Sequence, residues 1–143
     1  MSNSKKVNKD LLIQTLKYKK GALEYIKRNG KLPISFKERW IEALRSGKYK
    51  QTSGELYKSF EAYPNTYGYC CLGVVCKVQG LTDKILSTDA IIGERITSAA
   101  TKRKKGIPKI LHGENPLVDF LIHCNDTRRL SFKQIANWVE INL

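Results

Sequence analysis

The apolar positions of this chain change period along its length, and each change predicts an element. Between residues 8 and 29, Leu11, Leu12, Thr15, Leu16, Lys19, Leu23 and Ile26 recur near the helical period, which predicts one helix or two. Lys17, Lys19, Lys20, Lys27 and Arg28 fill the other sides. Gly21 weakens the middle by about 1 kcal/mol relative to Ala and marks a candidate break, and Asn29-Gly30 supplies a C-cap. After Pro33, Ser35-Phe36-Lys37-Glu38 has the spacing of a capping box. Phe36, Trp40, Ile41 and Leu44 then form one apolar face, closed by Ser46-Gly47. The same device recurs at Ser131-Phe132-Lys133-Gln134, ahead of Ile135, Trp138, Val139 and Leu143.

Residues 48–69 lose the helical period and hold five of the seven tyrosines. Thr52-Ser53-Gly54 and Pro64-Asn65 are turn signals, so short strands at Tyr49–Gln51, Glu55–Phe60 and Tyr67–Tyr69 predict a small antiparallel sheet or hairpin. From Cys70 to Gln79 the helical period returns: Cys71, Val74, Val75 and Val78 share a face, and Gly73 beside them admits a close neighbour. Asp89–Ala100 carries a weaker helical pattern with Ile92 and Ile96 inward. Lys102-Arg103-Lys104-Lys105-Gly106 reads as an exposed basic loop, and Ile107 to Leu111 as a short helical restart. Asn115-Pro116 is a strong helix start, with Leu117, Phe120, Leu121 and Cys124 inward before a turn at Thr127-Arg128-Arg129. The expected fold is α+β. It is a single, mostly helical domain with a small antiparallel β hairpin and a C-terminal helical hairpin. A basic N-terminal helical segment, 1–31, leads into a core over 32–143.

Charge changes the picture more than length does. Of 143 residues, 26 are Lys or Arg and 13 are Asp or Glu, a net of +13. Residues 1–60 carry 15 basic and 5 acidic groups (+10), and residues 61–143 carry 11 and 8 (+3). With 41% hydrophobic residues the chain is expected to fold rather than to act as a disordered tail. The asymmetry points to an anionic partner: nucleic acid first, then a nucleotide, then an acidic host protein. No run approaches the ~20 apolar residues of a membrane span, and the N-terminus lacks a leader pattern. A cytoplasmic location is therefore expected, the host cell's if the chain is phage-encoded, with reduced thiols and no membrane partner.

One set of residues carries a resemblance. It runs from Trp40 through Ala43-Leu44-Arg45-Ser46-Gly47-Lys48-Tyr49 to Gln51, Gly54 and Leu56. It continues with Tyr69-Cys70-Cys71-Leu72-Gly73-Val74 and Cys76, then Asn125-Asp126, Ser131-Phe132, Ile135-Ala136 and Val139-Glu140. This pattern resembles small uncharacterised proteins of tailed phages and prophages, over roughly residues 39–80 and 117–143. The resemblance implies a phage accessory protein and brings no catalytic or binding residues with it.

Candidate chemistry is sparse. Cys70, Cys71, Cys76, His123 and Cys124 could ligate zinc. Their spacings are not those of zinc knuckles, however, and adjacent helical residues point about 100° apart, so buried thiols and no metal are expected. His112 and His123 have no nucleophile placed beside them by the sequence. Asp119, Asp126 and Glu140 form no motif, and no phosphate-binding loop or nucleophile elbow is present. A helix-turn-helix over 116–124 and 131–142 would have too long a turn and a nearly base-free recognition helix. No catalytic residue and no cofactor is assigned.

The strongest functional signal is basic and aromatic. Lys48, Lys50 and Lys58 alternate with Tyr49, Tyr57 and Phe60, the composition of a single-strand stacking platform. Tyrosines packed across a hairpin would produce the same composition. The candidate anion-binding residues are Lys17, Lys19, Lys20, Lys48, Tyr49, Lys50, Tyr57, Lys58, Lys102, Arg103, Lys104 and Lys105. The expectation is a non-catalytic accessory protein that binds nucleic acid, with sequestration of a small nucleotide, or inhibition of an acidic host protein, as alternatives.

Overall fold

The structure, a computed structural model, describes residues 2–59, 67–88, 95–97 and 106–143. The basic run 102–105 and the strand end at Phe60 lie outside the described residues, as does most of the 89–100 segment. Of that segment, residues 95–97 are non-helical.

Helix α1 spans Ser2–Asn29 without interruption. Gly21 does not break it, because that position sits against Pro116, where even an added Cβ would meet only ordinary contact at 3.6 Å. The helix ends on Gly30, whose amide donates to the Ile26 carbonyl at 2.8 Å and whose φ of 90° turns the chain out of the helix. Its inward face, with Ala22 and Ile26 buried, lies along α5 (Pro116–Ile122).

Helix α2 spans Ile34–Arg45 and buries Phe36, Trp40, Ile41 and Leu44, the face that the apolar spacing predicts. Its start differs from expectation. The N-cap is Pro33 with no side-chain cap, and Ser35 lies inside the first turn. Proline already holds φ at −55°, near its ring-locked value, and its carbonyl accepts from the Lys37 amide at 2.9 Å. The start is therefore set one residue before the serine could act. By contrast, Ser131 and Gln134 form a complete capping box at the start of α6 (Phe132–Asn142). Helix α6 packs on α2, and the Phe120–Trp138 ring contact at 4.8 Å links it to α5.

The β element is a two-stranded antiparallel sheet of β1 (Tyr57–Ser59) and β2 (Tyr67–Tyr69). Segment 49–51 is not a strand. It contributes one parallel bridge, Gln51 to Tyr69, supported by Tyr69 N–H to Lys50 O and Thr52 N–H to Tyr69 O, both 2.8 Å. The chain then enters α3 (Cys71–Val78), which packs between α2 and α5, followed by α4 (Asp83–Thr88). Cys71, Val74 and Val75 are buried, whereas Val78 is only partly so. A Cβ on Gly73 would stand 1.9 Å from the Leu56 carbonyl oxygen, so the close approach expected there is made by backbone. Trp40 closes the same region by donating from Nε1 to Cys71 O at 3.1 Å. The architecture is thus a mostly helical α+β domain. No helix among the described residues is long and apolar enough to cross a membrane.

Candidate functional site

Helix α5 does not end in a normal turn. Residues His123–Thr127 form a π-helix, closed by Arg128 N–H to His123 O at 2.9 Å. A π-turn inserts one extra residue per turn and shifts the phase of the side chains that follow, and such turns recur at functional sites. Here His123 faces α1 while Asn125 faces the 51–54 loop. Two residues later Arg129 holds a φ of 53°, the only positive value at a non-glycine among the described residues.

His123 is anchored by geometry. Thr15 Oγ1 donates to Leu11 O at 2.8 Å, so its remaining role is to accept from His123 Nε2–H, also at 2.8 Å. Tyr18 stacks on the imidazole at 4.7 Å. Burial, aided by Arg128, pushes its pKa below the ordinary histidine value.

Asn125 is 3% exposed, and both ends of its amide are in use. Its Oδ1 accepts from Gln51 Nε2 at 2.9 Å and Cys71 N–H at 3.3 Å. Its Nδ2 donates to Thr52 O at 2.8 Å and Asp126 Oδ1 at 2.7 Å. Asp126 Oδ2 takes the Gly54 amide at 3.1 Å, and Gln51 Nε2 also reaches Leu130 O at 2.7 Å. One buried amide therefore ties together the loop, the start of α3 and the π-turn. Above it opens a polar pocket of about 510 Å³ lined by Gln51, Thr52, Ser53, Lys58, Asn125 and Arg129. The cations Lys58 and Arg129 stand at its wall, and both oxygens of the Asp126 carboxylate accept hydrogen bonds from the network.

The sheet register explains why Lys58 is there. Tyr57 pairs with Tyr69, Lys58 with Gly68, and Ser59 with Tyr67. Directly paired residues share a face, so the tyrosines take one side of the hairpin and Lys58 takes the other. The tyrosines pack on one another: Tyr57–Tyr69 and Tyr49–Tyr69 both at 5.4 Å, and Tyr67–Tyr69 at 6.0 Å. The Tyr69 hydroxyl donates to Asp83 at 2.6 Å. Burial and that carboxylate drive the phenol far above its ordinary pKa.

The other sequence candidates are placed apart. Lys48 sits over the Tyr49 ring at 5.6 Å, and Lys50 is exposed. Lys17 lines a separate cleft with Gln14, Tyr18 and Asp119, while Lys19 and Lys20 are exposed on α1. The structure thus joins Lys58 to Arg129, a residue that the sequence marks only as part of a turn. Gln51 and Asn125-Asp126 do carry a signal, since both belong to the pattern on which the phage resemblance rests. The cysteines offer little reactivity. All four are free and buried, burial raises Cys71 well above the ordinary thiol value, and Cys76 and Cys124 are pushed up to about 12. Among the described residues no cluster of His, Cys, Asp and Glu could hold a metal ion.

The profile of a domain of unknown function (DUF8296) matches residues 33–89, which takes in α2, the hairpin, α3 and α4 but not the Asn125–Arg129 side of the pocket. No curated protein and no solved structure matches the chain.

Proposed function

We propose that the protein is a non-catalytic accessory protein of the phage type, and that the pocket over Asn125 binds the phosphate of a nucleotide unit. The observation that carries this is that Lys58 and Arg129 both line a polar pocket floored by a buried, fully hydrogen-bonded amide. A guanidinium suits an oxyanion because its donors form a planar fork, and the Ser53 and Thr52 hydroxyls at the rim can complete the contact. The volume lies within the range of small-ligand sites, about 300–1,000 Å³. The floor is held by the hydrogen bonds of Asn125, so the backbone of the pocket needs little reorganisation to meet a ligand.

The phosphate can belong to a free nucleotide or to a single strand. The net charge of +13 favours a polyanion, whereas the mutual packing of the tyrosines, which leaves their faces committed to one another, favours a single nucleotide. Calorimetric titration with a mononucleotide panel, alongside fluorescence titration with labelled single- and double-stranded oligonucleotides, tests both. Arg129→Asn removes the charge with a residue that tolerates positive φ, and Lys58→Gln removes the other. Each should weaken binding about tenfold or more, as expected for loss of a charge-assisted contact. A steep fall with salt would assign the ligand to a strand, because several phosphates are then neutralised together. Affinity unchanged in both variants, or no binding of either class, would reject the proposal.

A further inference from the structure

Helix α1 has a second apolar face that the core does not use. Leu12 is 52% exposed, Leu16 56% and Leu23 38%. At about 100° per residue these three fall within about 40° of one another, centred about 60–100° round the helix from the buried Ile26 and Ala22. Lys19 lies at the core-side edge of this stripe, between Ile26 and Leu12, while Lys9, Lys20 and Lys27 run along its other edge. All four lysines are exposed. Over 28 residues the helix carries only Asp10 and Glu24 as acids.

We infer that this face is a docking surface for an anionic lipid bilayer, with α1 lying in the headgroup plane. Three leucines in register would enter the acyl boundary. Lysine stems are long enough to follow them and still leave the ammonium groups at the phosphates. The lysines along both edges decide between occupants. In a seam with a second copy of this chain the cationic stripes would face each other. Against a neutral protein helix, the flanking ammonium groups would gain no counter-charge. A bilayer containing acidic lipid supplies counter-charges at the depth the ammonium can reach, and each lysine near such a surface adds to the attraction.

The test uses the full chain and vesicles of phosphatidylcholine, with and without about 30 mol% phosphatidylserine, followed by flotation in near-physiological salt. Binding is expected to the acidic vesicles and at least about tenfold less to the neutral ones. Leu12→Gln with Leu16→Gln keeps the charge and the helix propensity. It should lower acidic-vesicle binding about tenfold or more, because two buried leucines are lost from the membrane. Lys48→Gln with Lys50→Gln, off the helix, should change it less than about twofold if α1 is the contact. Circular dichroism checks that the variants keep their helix. Three results would overturn the inference: no binding to acidic vesicles, equal binding by the leucine variant, or a wild-type dimer in solution that the leucine variant abolishes.

Discussion

Replacing Asn125 by Asp changes one side-chain NH2 into an oxygen and almost nothing else in shape. In the native protein that nitrogen donates to Thr52 O at 2.8 Å and to Asp126 Oδ1 at 2.7 Å. In Asn125→Asp both contacts become oxygen against oxygen, and the second also sets carboxylate against carboxylate. Each lost bond costs about 1 kcal/mol net, and the part-buried Thr52 carbonyl left without its donor adds about 1–3 kcal/mol. The sum, about 3–5 kcal/mol at neutral pH, is a large part of a domain stability of about 5–15 kcal/mol. Protonating the new carboxyl restores one donor. Its folded pKa must therefore be raised above the unfolded value of about 3.9, and the penalty grows as pH rises between the two. Urea unfolding of wild type and variant at pH 7.5 and pH 4, each pair compared at one pH, should show the deficit shrinking to about half on acidification. A deficit below about 1 kcal/mol at pH 7.5, or one that does not shrink, would refute the role assigned to this amide.

Gly73→Ala should cost about 3 kcal/mol or more and lower the yield of folded protein, because its Cβ meets the Leu56 backbone carbonyl at 1.9 Å rather than a movable side chain; thermal unfolding reads it. Ser131→Ala should cost about 1 kcal/mol, whereas Ser35→Ala should be neutral or slightly stabilising, since only Ser131 caps a helix; equal effects in chemical denaturation would contradict the assignment. Acid should act in two phases. Burial holds His123 below its ordinary pKa, so its contribution is complete above about pH 6.5 and is lost as pH falls below that value. Burial would raise the Asp83 carboxyl, but hydrogen bonds from Tyr69 and Lys77 outweigh it and hold it low. Its contribution survives above about pH 3.9 and disappears below. His123→Gln should flatten the upper phase and leave the lower one intact, as read by melting temperature against pH.

Elements whose apolar spacing matches their backbone period are legible in the sequence. The α2 face, the α3 face around Gly73 and the Ser131 capping box all follow from local chemistry within one or two turns. Ser35 misleads because two competing starts lie within three residues, and the proline, which fixes φ without a partner, takes precedence. Segment 49–51 has strand composition but finds only one bridge, since its side chains are drawn toward Tyr69 and Asn125. The polar pocket is harder to read. Its residues come from the 51–53 loop, from β1 and from the stretch between Asn125 and Arg129, far apart in the sequence, and it depends on a π-turn and a positive φ that leave no periodic trace there. Lys58 and Tyr57 read as one mixed surface, but adjacent strand residues must face opposite sides, and here that alternation separates the charge from the rings.

The pairing of α1 with α5 and of α2 with α6 sets a schedule for the nascent chain. Thr15 meets a partner 108 residues further on, and Lys37 one 103 further on. At about 5–20 residues per second, the first two helices wait roughly 5–20 s after synthesis before their main partners exist. Neighbouring contacts hold them only in part meanwhile, because α1 packs mainly on α5 and little on α2, while α2 gains α3 before α6. During that interval both apolar faces of a cationic helix are bare at once. Folding therefore closes from its two ends together rather than growing from the N-terminus, and the ribosome-bound chain is the stage at which chaperones, acidic surfaces and aggregation compete for it.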